Sequence, residues 1–264
     1  MELEVDRRSV FAAAGGPSRE DSPLVIFLHG AGMDHSVWAL QSRWFAHHGW
    51  RALAVDLPGH GRSEGPPLAE IGALADWTAR LIAAAGADRA ALVGHSMGAL
   101  VALETAARWP EQVARLALIG VSQRMPVHPD LIAAAKANSP LAVDMVSLWG
   151  LGAAATLGGN PAPGLWMLAG AARLLEAAPA GALHADLAAC DAYRNAAEAA
   201  AKLLCPTTLI LGERDLMTPL KGGKALAANI PGAQTVVIAG AGHMLMIERP
   251  DSVLAALKAA LAAT

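Results

Sequence analysis

Ser96, Asp215 and His243 are a hydroxyl, a carboxylate and an imidazole, each standing just after a run of apolar residues and following one another in that order. Ser96 lies in Gly94-His95-Ser96-Met97-Gly98, a G-x-S-x-G pattern. Its two glycines remove side-chain bulk, so the central residue can occupy a strained strand-to-helix turn with its hydroxyl exposed. An alcohol is a poor nucleophile until a neighbouring base takes its proton in the transition state. His243, closing "VIAGAGH", is suited to that task. Asp215, closing "ILGERD", can fix the imidazole tautomer and stabilise the imidazolium. Asp144 and Glu213 are the other carboxylates that compete for the acid role. The chemistry open to such a set is attack on a carbonyl carbon through a covalent intermediate.

Charge that develops on the carbonyl oxygen requires two backbone N–H donors aimed at one point. Met97 follows the serine at an expected helix N-terminus, where free N–H groups and the helix dipole favour negative charge. Ala31 lies on the glycine-flanked turn His29-Gly30-Ala31-Gly32. These two are the expected donors. His29 and His60 flank glycine turns and are expected to brace loops, and His95 to pack beside the serine.

Such groups must be presented by a scaffold. Runs rich in Val, Ile and Leu occur at 23–30, 51–59, 89–96, 115–121, 207–215 and 234–243, and continuous apolar runs indicate strands buried on both faces. Helical patterns fill the gaps around 37–48, 68–85, 97–108, 219–229 and 250–263. The alternation predicts an α/β fold: a mostly parallel sheet, helices on both faces, and ligands beyond the carboxyl ends of the strands. It stops after Val121 and resumes at Cys205-Pro206. The division is therefore a core of 1–121 and 205–264 with a helical lid inserted at 122–204.

The matching pieces, His29 to Gly32, "DLPGHGRS" (56–63), Gly94 to Gly98, "GERDLMTP" (212–219) and "GAGHMLMIERP" (240–250), make the chain resemble the α/β-hydrolase superfamily. Within it, the resemblance is to the lidded group that includes microbial carboxylesterases and lactonases. The resemblance implies a Ser-His-Asp triad, with Ser96, His243 and Asp215 taking those roles by position. It implies a serine hydrolase that cleaves carboxylic esters through an acyl-enzyme. Lactonases, thioesterases, perhydrolases and carbon-carbon bond hydrolases share the scaffold. A serine at position 96 disfavours the dehalogenases and epoxide hydrolases, which use an aspartate there. Met244 after His243 counts against the carbon-carbon bond hydrolases, which commonly carry a tryptophan there. A non-catalytic binding module would have no physical need for all three groups.

Composition narrows the partners. Twenty basic against 23 acidic side chains give a net charge of −3, with no basic cluster to track a nucleic-acid backbone. Neither metal-ligand spacing nor a phosphate-binding or dinucleotide glycine loop is present, so no metal and no cofactor is expected. The start, "MELEVDRRSVF", carries charges where a signal peptide needs an apolar run, which predicts a leaderless cytoplasmic protein. Cys190 and Cys205 form no paired motif, and two idle thiols are expected. The stretch from Met145 to Ala172 has no charge at all, yet Gly158, Gly159, Asn160, Pro161 and Pro163 break it, which argues against a membrane span. It is better read as the apolar face of the lid over the strand ends. Trp149, Trp166, Met167 and Met244 are then expected to wall a pocket for a small, neutral ester, unless Arg124, Lys136, Arg173 or Arg194 turns inward to bind an anion. Oligomeric state is not encoded in these patterns.

Overall fold

The computed structural model describes residues 1–16, 21–159 and 166–262 of the chain. Eight strands form one sheet: β1 (Glu2–Val5), β2 (Arg8–Ala13), β3 (Leu24–Leu28), β4 (Arg51–Val55), β5 (Ala90–His95), β6 (Val113–Ile119), β7 (Thr207–Gly212) and β8 (Gln234–Ile238). Their spatial order is β1-β2-β4-β3-β5-β6-β7-β8. From β4 to β8 all neighbours run parallel, so the strands end on one edge of the molecule.

The core strands are short apolar runs because both their faces are covered. Leu24, Ile26 and Leu28 of β3 face one hydrophobic cluster and Val25 and Phe27 the other, as the two-residue period of a strand requires. The first cluster packs under α2 (Ile71–Ala84) and α3 (Met97–Arg108), and the second under α1 (Ala39–Ala46) and α12 (Pro250–Leu261). β8 departs from the expected burial: it is the edge strand, and Val237 is 40% exposed.

β1 and β2 form an antiparallel hairpin on the other edge, which the apolar-run pattern did not anticipate. Its turn puts Asp6 and Arg7 at φ of 54° and 62°. Those are the left-handed values of a tight hairpin turn, reached here without the glycine that usually announces one.

Between β6 and β7 the chain forms helices α4 (Pro129–Lys136), α5 (Pro140–Gly150), α6 (Ala153–Thr156), α7 (Met167–Ala177), α8 (Ala182–Ala192) and α9 (Ala196–Ala201). A third apolar cluster joins α4, α5, α7 and α8 and includes Ala31 and Met217 from the strand-end loops. Ala189, Cys190, Ala196, Ala199 and Ala200 instead belong to the first core cluster, so α8 and α9 return the chain into the body of the molecule against α3. The remaining helices are α10 (Leu220–Ala227) and α11 (Leu245–Glu248). Among the described residues, no helix is long and apolar enough to cross a membrane.

Candidate active site

Ser96 occupies the single residue between β5 and α3, at φ 54° and ψ −115°. A non-glycine residue in that region stores on the order of 1–3 kcal/mol of strain, which the surroundings must hold. They do so through backbone bonds: the Ser96 N–H donates to Ile119 O at 2.9 Å, and its carbonyl accepts from Ala99 and Leu100. The flanking glycines are required by close approach. A Cβ on Gly94 would lie 2.1 Å from Gly98 O, and one on Gly98 would lie 2.4 Å from Leu28 O and 2.5 Å from His29 O. The obstacles are backbone atoms of the elbow itself and of the strand beside it, so neither can move aside.

Gly98→Ala is accordingly expected to cost roughly 2–3 kcal/mol, lowering Tm by about 5–10 °C. Gly170, helical in α7 with nothing within 4 Å of its would-be Cβ, gives the opposite sign. Gly170→Ala should stabilise by roughly 0.4–1 kcal/mol through lost unfolded-state entropy. Thermal unfolding of the two variants checks both.

The end of β7 and the loop after β8 bring an acid to a base. His243 Nδ1 lies 2.8 Å from Asp215 Oδ2, and both side chains are buried. The same Asp215 oxygen accepts from the Thr218 hydroxyl at 2.6 Å, while Oδ1 accepts the backbone N–H groups of Met217 and Thr218 at 2.9 and 2.7 Å. Burial works against the Asp215 carboxylate, but the charge and hydrogen bond of His243 and the bonds from Thr218 outweigh it, holding the group below the usual carboxylate range. Asp144 is exposed on α5, and Glu213 accepts from Gly240 N–H, so Asp215 is the carboxylate bonded to His243.

The His243 backbone is fixed from two sides. Gly150 O, at the end of α5, accepts the N–H groups of His243 and Met244 at 3.0 and 2.9 Å. His95 Nε2 donates to His243 O at 2.9 Å. Burial, aided by the neighbouring His243, pushes His95 down to about 3, so it serves as a neutral donor. Glu248 Oε2 accepts both Gly242 N–H and Gly152 N–H, tying the His243 loop to the link between α5 and α6.

Ser96 and His243 line one cavity of about 270 Å³, near the lower end of the roughly 300–1,000 Å³ that ligand sites span. Ala31, Trp149 and Met244 line it too, with Leu131, Val146, Leu174, Leu175, Leu183 and Leu187 from the helices above. Met97 is the first residue of α3, so its N–H has no carbonyl partner within the helix.

Two expected wall residues lie elsewhere. Trp166 is 65% exposed, and Met167 packs into the second core cluster with Leu151 and Ala155. The reason is position along the helix: Met167 shares the face of Ala171, Leu174 and Leu175, which reach the cavity, but the first turn of α7 runs past the cavity onto the core, and Trp166 precedes the helix. No arginine or lysine lines the cavity among the described residues. Arg124 and Lys136 are exposed, Arg173 pairs with Glu176 at 2.7 Å, and Arg194 bonds to the carbonyls of Asp191 and Tyr193. Cys190 is a free thiol in the cavity wall, and burial raises its pKa above the range in which a thiolate forms.

Thr218, Asp186 and Glu248, like the cavity-lining His128 and Ser147, are polar residues of this region that the sequence patterns did not single out. Glu248 stands only six residues beyond Gly242. Asp186, a carboxylate among alanines and leucines on a buried helix face, is itself a sign of a polar partner elsewhere in the chain.

The sequence pattern of the alpha/beta hydrolase family matches residues 25–257. The chain is 32% identical to the pimeloyl-[acyl-carrier protein] methyl ester esterase of Chromobacterium violaceum, covering 89% of this chain and 92% of that protein. It is 30% identical to RutD of Shigella flexneri, whose name assigns it carbamate hydrolysis, over 93% of this chain and 94% of that protein. Among solved structures, the enol-lactonase of Burkholderia xenovorans LB400 superposes with a TM-score of 0.88 at 25% identity, over 99% of both chains.

Proposed function

The chain belongs to the alpha/beta hydrolase family, and from that premise we propose that it is a serine hydrolase that cleaves small, neutral carboxylic esters through an acyl-enzyme. The observation that carries this reading is the 2.8 Å contact of Asp215 with His243 Nδ1 in a site whose cavity also holds Ser96 on its strained elbow. With Nδ1 committed to Asp215, the free Nε2 of His243 is the base for the Ser96 hydroxyl. The serine oxygen adds to the ester carbonyl, and the oxyanion so formed accepts from the N–H groups of Ala31 and Met97. His243 then returns the proton to the departing alcohol, leaving an acyl-Ser96. A water molecule, deprotonated by the same imidazole, releases the acid and restores the serine. Each half-reaction balances without a cofactor. In this reading, helices α4 to α8 act as the lid that supplies the acyl pocket and keeps water out.

The wall argues for neutral substrates. A buried methylene is worth roughly 0.8 kcal/mol, whereas a carboxylate taken from water without a partner loses several. For p-nitrophenyl butyrate against the matched hemisuccinate ester, kcat/KM is expected to favour the neutral compound by roughly 10- to 100-fold. A preference for the hemisuccinate would reject the neutral-pocket reading. Labelling by a fluorophosphonate probe tests the nucleophile: a binding module does not label. Turnover of carbamates with esters untouched would move the reading to a different carbonyl class.

A further inference from the structure

The turn that carries Ala31 is held on both sides. The peptide before it contains Gly30 O and the Ala31 N–H, which point in opposite directions because a trans peptide is planar. Gly30 O accepts from His29 Nδ1 at 2.9 Å and from Met33 N–H at 3.2 Å. His29 Nε2 accepts from Leu57 N–H at 3.1 Å, so the ring proton sits on Nδ1. Burial and the nearby His60 push His29 down to about 4, which keeps that tautomer neutral.

The peptide after Ala31 is pinned from a distant part of the chain. Gly32 N–H donates to Asp186 Oδ2 at 2.8 Å, across 154 residues of sequence. The same oxygen accepts from His60 Nε2 at 2.9 Å, and both side chains are buried. His60 Nδ1 also donates to Pro58 O at 3.0 Å, so both ring nitrogens act as donors, the state of an imidazolium. Burial opposes that charge, but the Asp186 hydrogen bond and charge outweigh it and raise His60 above its ordinary value. Gly32 sits at φ +66°, and a Cβ there would meet Leu183 at 2.9 Å and Leu175 at 3.1 Å. α7 and α8 are therefore pressed onto this same turn.

A buried ion pair is a poor way to add stability, since apolar residues of similar volume often do as well or better. What it adds here is direction. We propose that Asp186 is a positioning residue for oxyanion stabilisation: by holding Gly32 N–H it fixes the peptide after Ala31, so that the Ala31 N–H stays aimed at the substrate's carbonyl oxygen. The proposal rests on the serine-hydrolase reading above, and it makes α8 a structural part of the catalytic turn rather than only a cover over the pocket.

The test compares Asp186→Asn and Asp186→Leu with the wild type, using p-nitrophenyl butyrate and a trifluoromethyl ketone. The ketone adds the serine hydroxyl and places an oxyanion where the transition state does. Losing an oxyanion donor outright costs 10²–10³-fold, so a misaimed donor in Asp186→Leu should lower kcat by roughly 10- to 100-fold. Affinity for the ketone should fall by the same factor, while KM moves by less than about twofold. Asp186→Asn keeps an oxygen for Gly32 but loses the charge facing His60, and should fall between, at about three- to tenfold. If Asp186→Leu does not fold, the isosteric Asp186→Asn decides alone by the same pair of readouts. Folded variants that retain wild-type kcat and ketone affinity, or that lose kcat with ketone affinity unchanged, overturn the proposal. A wild-type chain with neither ester turnover nor fluorophosphonate labelling would instead reject the serine-hydrolase reading itself.

Discussion

Ser96→Ala is expected to lower kcat for p-nitrophenyl butyrate by about 10⁴- to 10⁶-fold and to abolish fluorophosphonate labelling. The change removes one oxygen and none of the bonds that build the elbow. Ser96 N–H still donates to Ile119 O, and Ser96 O still accepts from Ala99 and Leu100. Alanine occupies φ 54° at a cost similar to that of serine, so the strain is neither relieved nor increased. Tm should therefore stay within about 2–4 °C of the wild type, the shift that 1 kcal/mol produces in a chain of this size. Some rate above water should persist, because the N–H donors and the cavity remain. A folded Ser96→Ala chain with wild-type kcat would remove the covalent step from the mechanism.

How much of this could be read from the residues depends on how far apart the interacting groups lie. The central strands were legible because burial on both faces leaves an unbroken apolar run, as in Leu24–Leu28. The hairpin of β1 and β2 was not, since an edge pair needs only partial burial and its turn uses Asp6 and Arg7 in place of glycine. Ser96, Asp215 and His243 each close a strand-end run, and the parallel sheet then brings all strand ends to one edge, so topology alone gathers them.

Nothing local encodes the Asp186 contacts to His60 and Gly32, which span 126 and 154 residues. The same holds for the wall of the cavity. An apolar stretch announces that a surface is covered, but where each helix starts and how far it runs over the site decide which side chain does the covering. Ala171, Leu174 and Leu175 of α7 reach the cavity, whereas Trp166, just ahead of the helix, stays 65% exposed. The elbow glycines are the intermediate case: the pattern reveals that bulk is forbidden at Gly98, and only the fold reveals that the obstacle is the backbone of Leu28 and His29.

Asp215→Asn is expected to lower kcat by about 10⁴-fold while leaving the fold in place, and the hydrogen bonds around the carboxylate say why. Oδ1 accepts two backbone N–H groups, from Met217 and Thr218, so the amide oxygen of an asparagine must take that position. Its NH₂ group then replaces Oδ2 and points at His243 Nδ1 and the Thr218 hydroxyl. One amide proton goes to each. Thr218 reverses from donor to acceptor, and His243 Nδ1 becomes an acceptor, which moves the imidazole proton to Nε2. That tautomer presents a proton, not a lone pair, to Ser96, and it cannot act as the base. Every polar atom of the asparagine is thereby satisfied in a catalytically wrong arrangement, so the chain should still fold, with a loss of Tm at neutral pH that reflects the missing carboxylate charge. The comparison also has a pH signature with a definite sign. The folded-state pKa of Asp215 is lowered, so its ionisation adds stability that is fully present above the unfolded value of about 3.9 and is lost as pH falls through the folded value. Wild-type stability should thus decline below pH ~4 relative to that of Asp215→Asn. Kinetics and thermal unfolding across pH check the two halves together. Wild-type kcat in Asp215→Asn, or a larger loss in Asp144→Asn or Glu213→Gln, would move the acid role away from Asp215.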